Sequence, residues 1–181
     1  MKKLIIFSII AVILGILSIY SYEPSVAVKA YGSVFIADDH PDTIIINNNN
    51  VFYTVGAKQG ANGYPWTTGG VLQNVTVQDS SMTALVPGKY EVSYSFSFFT
   101  VTGVVGGRFN WYLFINDNKQ EKTGSKRLMS GTNDMGIGSV APTVLTLAAN
   151  DVIKLKVRSI DDASNTICFE YCIMHIKKID N

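Results

Sequence analysis

Apolar and polar residues alternate through much of this chain with the two-residue period of a half-buried strand, most regularly over residues 87–101, PGKYEVSYSFSFFTV. Tyr90, Val92, Tyr94, Phe96 and Phe98 share one parity, and Lys89, Glu91, Ser93, Ser95 and Ser97 share the other. An extended backbone therefore carries an aromatic ladder on one face and hydroxyls on the next. Large groups lined up on one face need a second layer to cover them, so the run is expected to be a central strand facing an opposite sheet or a subunit axis.

The rest of the chain reads as strands that could supply that layer. Residues 31–37, 43–47, 51–55, 71–78, 82–86, 108–116, 135–147, 152–160 and 166–179 are each short, apolar or alternating, and residues 119–130 read as a polar, exposed strand. Turn chemistry separates them: Asp38 to Asp42, the four asparagines from Asn47, Asn116-Asp117-Asn118, Ala149-Asn150-Asp151 and Asp161 to Asn165. Residues 56–70 are glycine-rich and predicted to be a long exposed loop. About ten short strands, with turn signals every 8–12 residues and no helical pattern after residue 22, predict an all-β, jelly-roll β-sandwich.

The first residues follow a different rule. Lys2 and Lys3 precede an uncharged run built from Leu4, Ile5, Ile6, Phe7, Ile9, Ile10, Val12, Ile13, Leu14, Ile16, Leu17, Ile19 and Tyr20. A spanning helix needs about 17–25 apolar residues and a secretory signal has an apolar core of about 7–15, and this run lies where the two ranges meet. It has no good cleavage site close by, and Tyr20 and Tyr22 fall where interfacial aromatics would. A retained single-pass helix and a cleaved signal both remain open, and both send the remaining chain across a membrane. The expected organisation is an anchor or signal over 1–22, a linker over 23–30 and the jelly-roll domain over 31–181.

Composition narrows function mainly by exclusion. Fifteen Lys and Arg against 14 Asp and Glu leave a formal charge of +1, which gives no electrostatic reason to expect a nucleic-acid partner. Charged residues make up 16% of the chain, below the roughly 25% of ordinary soluble domains, as is common in extracellular and assembly-forming β proteins. No Gly-x-Ser-x-Gly elbow, phosphate loop or HExxH is present, so no catalytic residue is assigned and no cofactor is expected.

Individual side chains offer a few candidates. Tyr64 and Trp66 in the glycine-rich loop could stack on a sugar or anchor a partner, unless Trp66 folds back to cap the sandwich. His40 lies among Asp38, Asp39 and Asp42, a set that fits no defined cation loop, so no metal site is assigned. His175, among apolar neighbours, is expected to be a packing or interface residue. In a regular strand Cys168 and Cys172 face the same side about 13 Å apart, too far for a bond to each other, which leaves buried thiols or a bond across a subunit axis. Lys119, Lys122, Lys126 and Arg127 form a mild basic stripe of the kind that keeps an edge strand soluble.

Two motifs carry a resemblance. Gly88-Lys89-Tyr90 opens the aromatic strand, and Leu147-Ala148-Ala149-Asn150-Asp151, with Asn in the place of Gly, joins a later strand pair. Together with the long last strand they make residues 31–179 resemble the complement globular-head, or tumour-necrosis-factor-like, jelly roll. The opening YGSVFIADDHPDTIIINNNNVFYTV is similar to variants of that fold in bacteriophage and other viral structural proteins. The resemblance implies a trimer or other cyclic homo-oligomer with a role in binding or assembly. The resulting expectation is a non-enzymatic, membrane-tethered structural protein, a capsid or spike-associated virion component, whose partners are itself, the bilayer and capsid or other surface proteins. The alternative is a secreted or cell-surface lectin-like, receptor-binding module using the loop at 56–70.

Overall fold

The computed structural model describes residues 28–36, 42–57, 66–102, 107–131, 133–161 and 165–180. The apolar run at 4–20, the acidic corner with His40, and Tyr64 lie outside them. Among the described residues no helix is long and apolar enough to cross a membrane.

The ladder strand and the last strand form the spine of the first sheet. β1 (Tyr31–Ile36), β4 (Thr67–Thr68), β7 (Gly88–Thr102), β11 (Met135–Leu147) and β13 (Asn165–Lys178) run in the order β11-β7-β13-β1-β4, and β2 (Asp42–Ile46) also pairs with β13. The second sheet runs β10-β8-β12-β6-β5. Its members are β5 (Val75–Gln78), β6 (Ser81–Ala84), β8 (Gly107–Ile115), β10 (Ser125–Met129) and β12 (Asp151–Ser159), with the short β3 (Tyr53–Thr54) on β12 and β9 (Asn118–Lys119) on β8. Every pairing is antiparallel. From β7 onward the chain passes to β8, back through β10 to β11, across to β12 and back to β13, while β1 and β13 lie side by side. Crossing repeatedly between two sheets, with the first and last long strands adjacent, is jelly-roll winding.

The core lies between the sheets. Tyr90, Val92, Tyr94, Phe96 and Phe98 are all at most 3% exposed, and they face Phe109, Trp111 and Leu113 of β8 and Ile153, Leu155 and Val157 of β12. The ladder's cover is therefore the opposite sheet of the same chain. Phe96 and Phe98 sit 4.7 and 4.8 Å, centroid to centroid, from Trp111, and both contact Phe169. The ladder's two phenols keep partners in this apolar layer: the Tyr90 hydroxyl donates to the Val86 carbonyl at 2.6 Å and that of Tyr94 to the Thr123 carbonyl at 2.7 Å.

Residues 119–130 depart from the single strand expected of them. A 3-10 turn over Glu121–Thr123 separates β9 from β10. Thr123, fully buried, donates through its hydroxyl to the Gln120 carbonyl and accepts from the Leu113 amide, so the turn plugs the edge of the second sheet. One buried threonine with two satisfied partners overrides the local strand pattern.

Candidate functional site

The outer face of the first sheet is built from the residues that the ladder leaves outside. Ser93, Ser95 and Ser97 run down its middle on β7. Cross-strand register sets their flanks: Ile137 of β11 and Tyr171 of β13 lie either side of Ser97, and Ser139 and Ile173 either side of Ser95, with Phe35 of β1 beyond Ile173. The result is a groove of about 520 Å³ with a serine floor and apolar walls. Its walls stand well into solvent, Ile137 at 72% exposed and Tyr171 at 59%. Met135, Val144 and Ile45 add further exposed apolar side chains to the same sheet.

Charge enters toward one end. There His175 pairs with Ser93 and Ser33, and Lys177 pairs with Glu91 and Tyr31, beside a second, more polar depression. Beneath the groove the Tyr94 phenol titrates well above the usual tyrosine range, because burial disfavours its phenolate and the neighbouring Cys172 and Tyr112 add to that effect.

A one-residue irregularity creates this face. From Ile167 to Phe169 β13 follows β7 in regular antiparallel register, with Phe169 opposite Phe98, and pairing then resumes at Tyr171, opposite Ser97, so that Glu170 is an extra residue. Before the bulge Ile167 and Phe169 point into the core; after it Cys172, Met174 and Ile176 do. The expectation that Cys168 and Cys172 share a face is thereby corrected. Cys172 joins the core, whereas Cys168 sits opposite Phe99 and takes a hydrogen bond from Thr43 Oγ1 at 3.7 Å, on the outward side. Both are buried and neither belongs to a disulfide. His175, expected as a packing or interface residue, is exposed, because the bulge sets it one step out of phase with the core.

Trp66 is 5% exposed, and its indole N–H donates to the Val55 carbonyl at 2.8 Å. The capping alternative is the one realised, and as a stacking platform for ligand Trp66 is withdrawn. Gly56, at φ 78°, makes this possible: a Cβ there would lie 2.3 Å from the indole nitrogen. The glycine-rich loop is thus pinned at both ends by one indole. Among the described residues no group of three or more His, Cys, Asp or Glu could hold a metal ion.

Sequence comparison adds no family to this picture, since no family profile and no curated protein matches the chain. Similar solved structures exist at low identity. Eiger TNF from S. frugiperda is 11% identical, with 84% of this chain and 94% of that one covered, at a TM-score of 0.47. The globular domain of zebrafish complement 1qA protein is 14% identical, with 84% and 98% covered, at 0.44. PRD1 vertex protein P5 is 14% identical, with 86% and 100% covered, at 0.48. At these identities the likeness is one of backbone path alone.

Proposed function

We propose that this chain is a non-enzymatic assembly module, whose serine-floored, apolar-walled face packs against further copies of the same chain. The groove between Ile137 and Tyr171 carries the reading. Large apolar side chains rarely stand in a contiguous group on a monomer's surface, and when they do they mark an interaction site. The partner is another copy because the face is complementary to itself: apolar ridges alternate with a trough of small hydroxyls, and no charge in that central region specifies a partner of opposite sign. The Gly88-Lys89-Tyr90 resemblance supports the same reading through the cyclic oligomer it implies. In the fuller form of the proposal the apolar run at 4–20 tethers the module to a bilayer, and the assembly forms part of a virion or cell-surface structure.

Light scattering on the detergent-extracted full chain tests the central claim. Wild type is expected to run as a closed oligomer at micromolar concentration. Ile137→Asp with Tyr171→Asp should yield a monomer with an unchanged far-UV spectrum and melting temperature. A wild type that is monomeric under these conditions overturns the proposal, and so does a double variant that remains oligomeric.

A further inference from the structure

The second sheet also has an outer face, on the opposite side of the sandwich, and its chemistry is the reverse of the first. Because Phe109, Trp111 and Leu113 point inward from β8, and Ile153, Leu155 and Val157 from β12, the alternate residues face outward. Six cations gather there: Arg108, Lys154, Lys156 and Arg158 from these two strands, Lys126 opposite Asn110, and Lys119 opposite Phe114. Three carboxylates answer them. Asp161 pairs with Arg108, Asp117 with Lys154 and Lys156, and Glu121 with Lys119. In a chain of formal charge +1, that is a segregation of positive charge onto one face.

These cations are held in place. Lys119 Nζ lies 4.9 Å from the Tyr112 ring centre, Lys156 Nζ 4.7 Å from that of Phe114, and Arg158 Cζ 4.8 Å from that of Phe52. Rings beneath the cations fix their positions before any ligand arrives, so less side-chain freedom is lost on binding. Arg158 makes no ion pair among the described residues.

We propose that this face binds an acidic polysaccharide: a chain of hydroxyl-bearing rings that also carries carboxylate or sulfate groups. Charge complementarity carries the choice: carboxylates or sulfates spaced along a polymer answer the fixed cations one after another. Single-stranded nucleic acid fits less well, because bases need open aromatic faces, whereas Phe114 is 7% exposed and Phe52 and Tyr112 lie under cations. An anionic bilayer fits less well too, since among the described residues of β8, β10 and β12 Leu128 alone is a large apolar side chain exposed enough to insert. Nothing in the proposal depends on self-assembly, although assembly through the opposite face would leave this one open and multiply it.

The test measures binding of the full chain in neutral detergent to immobilised heparin and to polygalacturonate, with neutral dextran, single-stranded DNA and phosphatidylserine vesicles alongside. Binding to heparin or polygalacturonate at 0.15 M salt, weakened about tenfold or more by Lys154→Gln, Lys156→Gln and Arg158→Gln combined, supports the proposal. The comparison protein carries Lys29→Gln, Lys89→Gln and Lys177→Gln, the same loss of charge away from this face, and is expected to change binding less than about twofold. Arg158→Lys is expected to weaken binding at an unchanged melting temperature, because it keeps the charge but loses the guanidinium geometry. Absence of binding to both acidic polymers overturns the proposal, as does equal weakening in the comparison protein. Tighter binding to DNA or to vesicles than to either polysaccharide overturns it as well.

Discussion

Phe96 is the residue on which the ladder depends most. It touches Tyr94, Phe98, Trp111 and Phe169, and it lies beneath β11 where Gly138 leaves space for its ring. A Cβ on Gly138 would meet the ring's Cζ at 2.2 Å, and one on Gly136 would meet Phe98 Cε1 at 2.5 Å. Phe96→Ala should therefore cost about 3–5 kcal/mol, and Gly138→Ala, though it only adds a methyl, about 1–3 kcal/mol through displacement of the ring. Denaturant unfolding checks both; a loss below about 1 kcal/mol for Phe96→Ala would mean that the ladder's register is wrong. The aromatic half of this contact was legible in the alternation of residues 90–98. The glycine half was not, because two glycines in a strand carry no sign of what they make room for.

Trp66 makes the same point from the other side. Aromatic residues in a glycine-rich loop read as a binding tip, yet the indole closes the loop onto Val55. Trp66→Ala should cost about 3–5 kcal/mol in unfolding free energy, with Gly56→Ala also destabilising because the indole occupies the space its methyl needs. An unchanged melting temperature for Trp66→Ala would show that the loop is not latched in solution.

At the scale of elements, turns were easier to read than faces. Asn150 stands at φ 70° in the turn between β11 and β12, the left-handed backbone that the resemblance assigns to glycine there. Asn150→Gly should leave stability within about 0.5 kcal/mol, whereas Asn150→Val should cost about 1–3 kcal/mol, read from chemical denaturation. The hairpin turn at Asn116 and Asp117, both at positive φ, was equally visible.

The face assignment of β13 was not visible, because ICFEYCIM is apolar at nearly every position and its parity carries no information. Glu170 settles it through the bulge. Deleting Glu170 forces half of the strand to turn over, taking either Ile167 and Phe169 out of the core or His175 and Lys177 into it. The deletion should abolish the near-UV signature of the packed aromatics, while Glu170→Ala should change stability by less than about 0.5 kcal/mol. Pro142 lies in a further register shift, between Val140 and Thr143 on β11, an edge strand of its sheet. A proline there removes an edge donor and discourages pairing with further strands.

For the whole molecule, surface carboxylates set the acid limit. Arg108 holds Asp161 below the usual aspartate range, Lys156 and then Lys154 do the same for Asp117, and hydrogen bonds from Ser130 lower Asp134. A carboxyl depressed on folding contributes stability that is complete above the unfolded value, about 3.9, and is lost as pH falls through the folded one. Melting temperature should thus respond to these groups only below about pH 4, and Asp161→Asn should remove part of that acid-limb dependence. A decline beginning near pH 6 would point to a histidine instead.

Most of the strands and turns, and the ladder, follow from the sequence alone, because side-chain period and left-handed turn residues are local properties of the chain. Which face of each sheet meets the other, where Trp66 lies, and the contrast between an apolar outer face and a cationic one were decided only in the tertiary structure. Each depends on register between strands far apart in sequence. One extra residue in β13 is enough to reverse it.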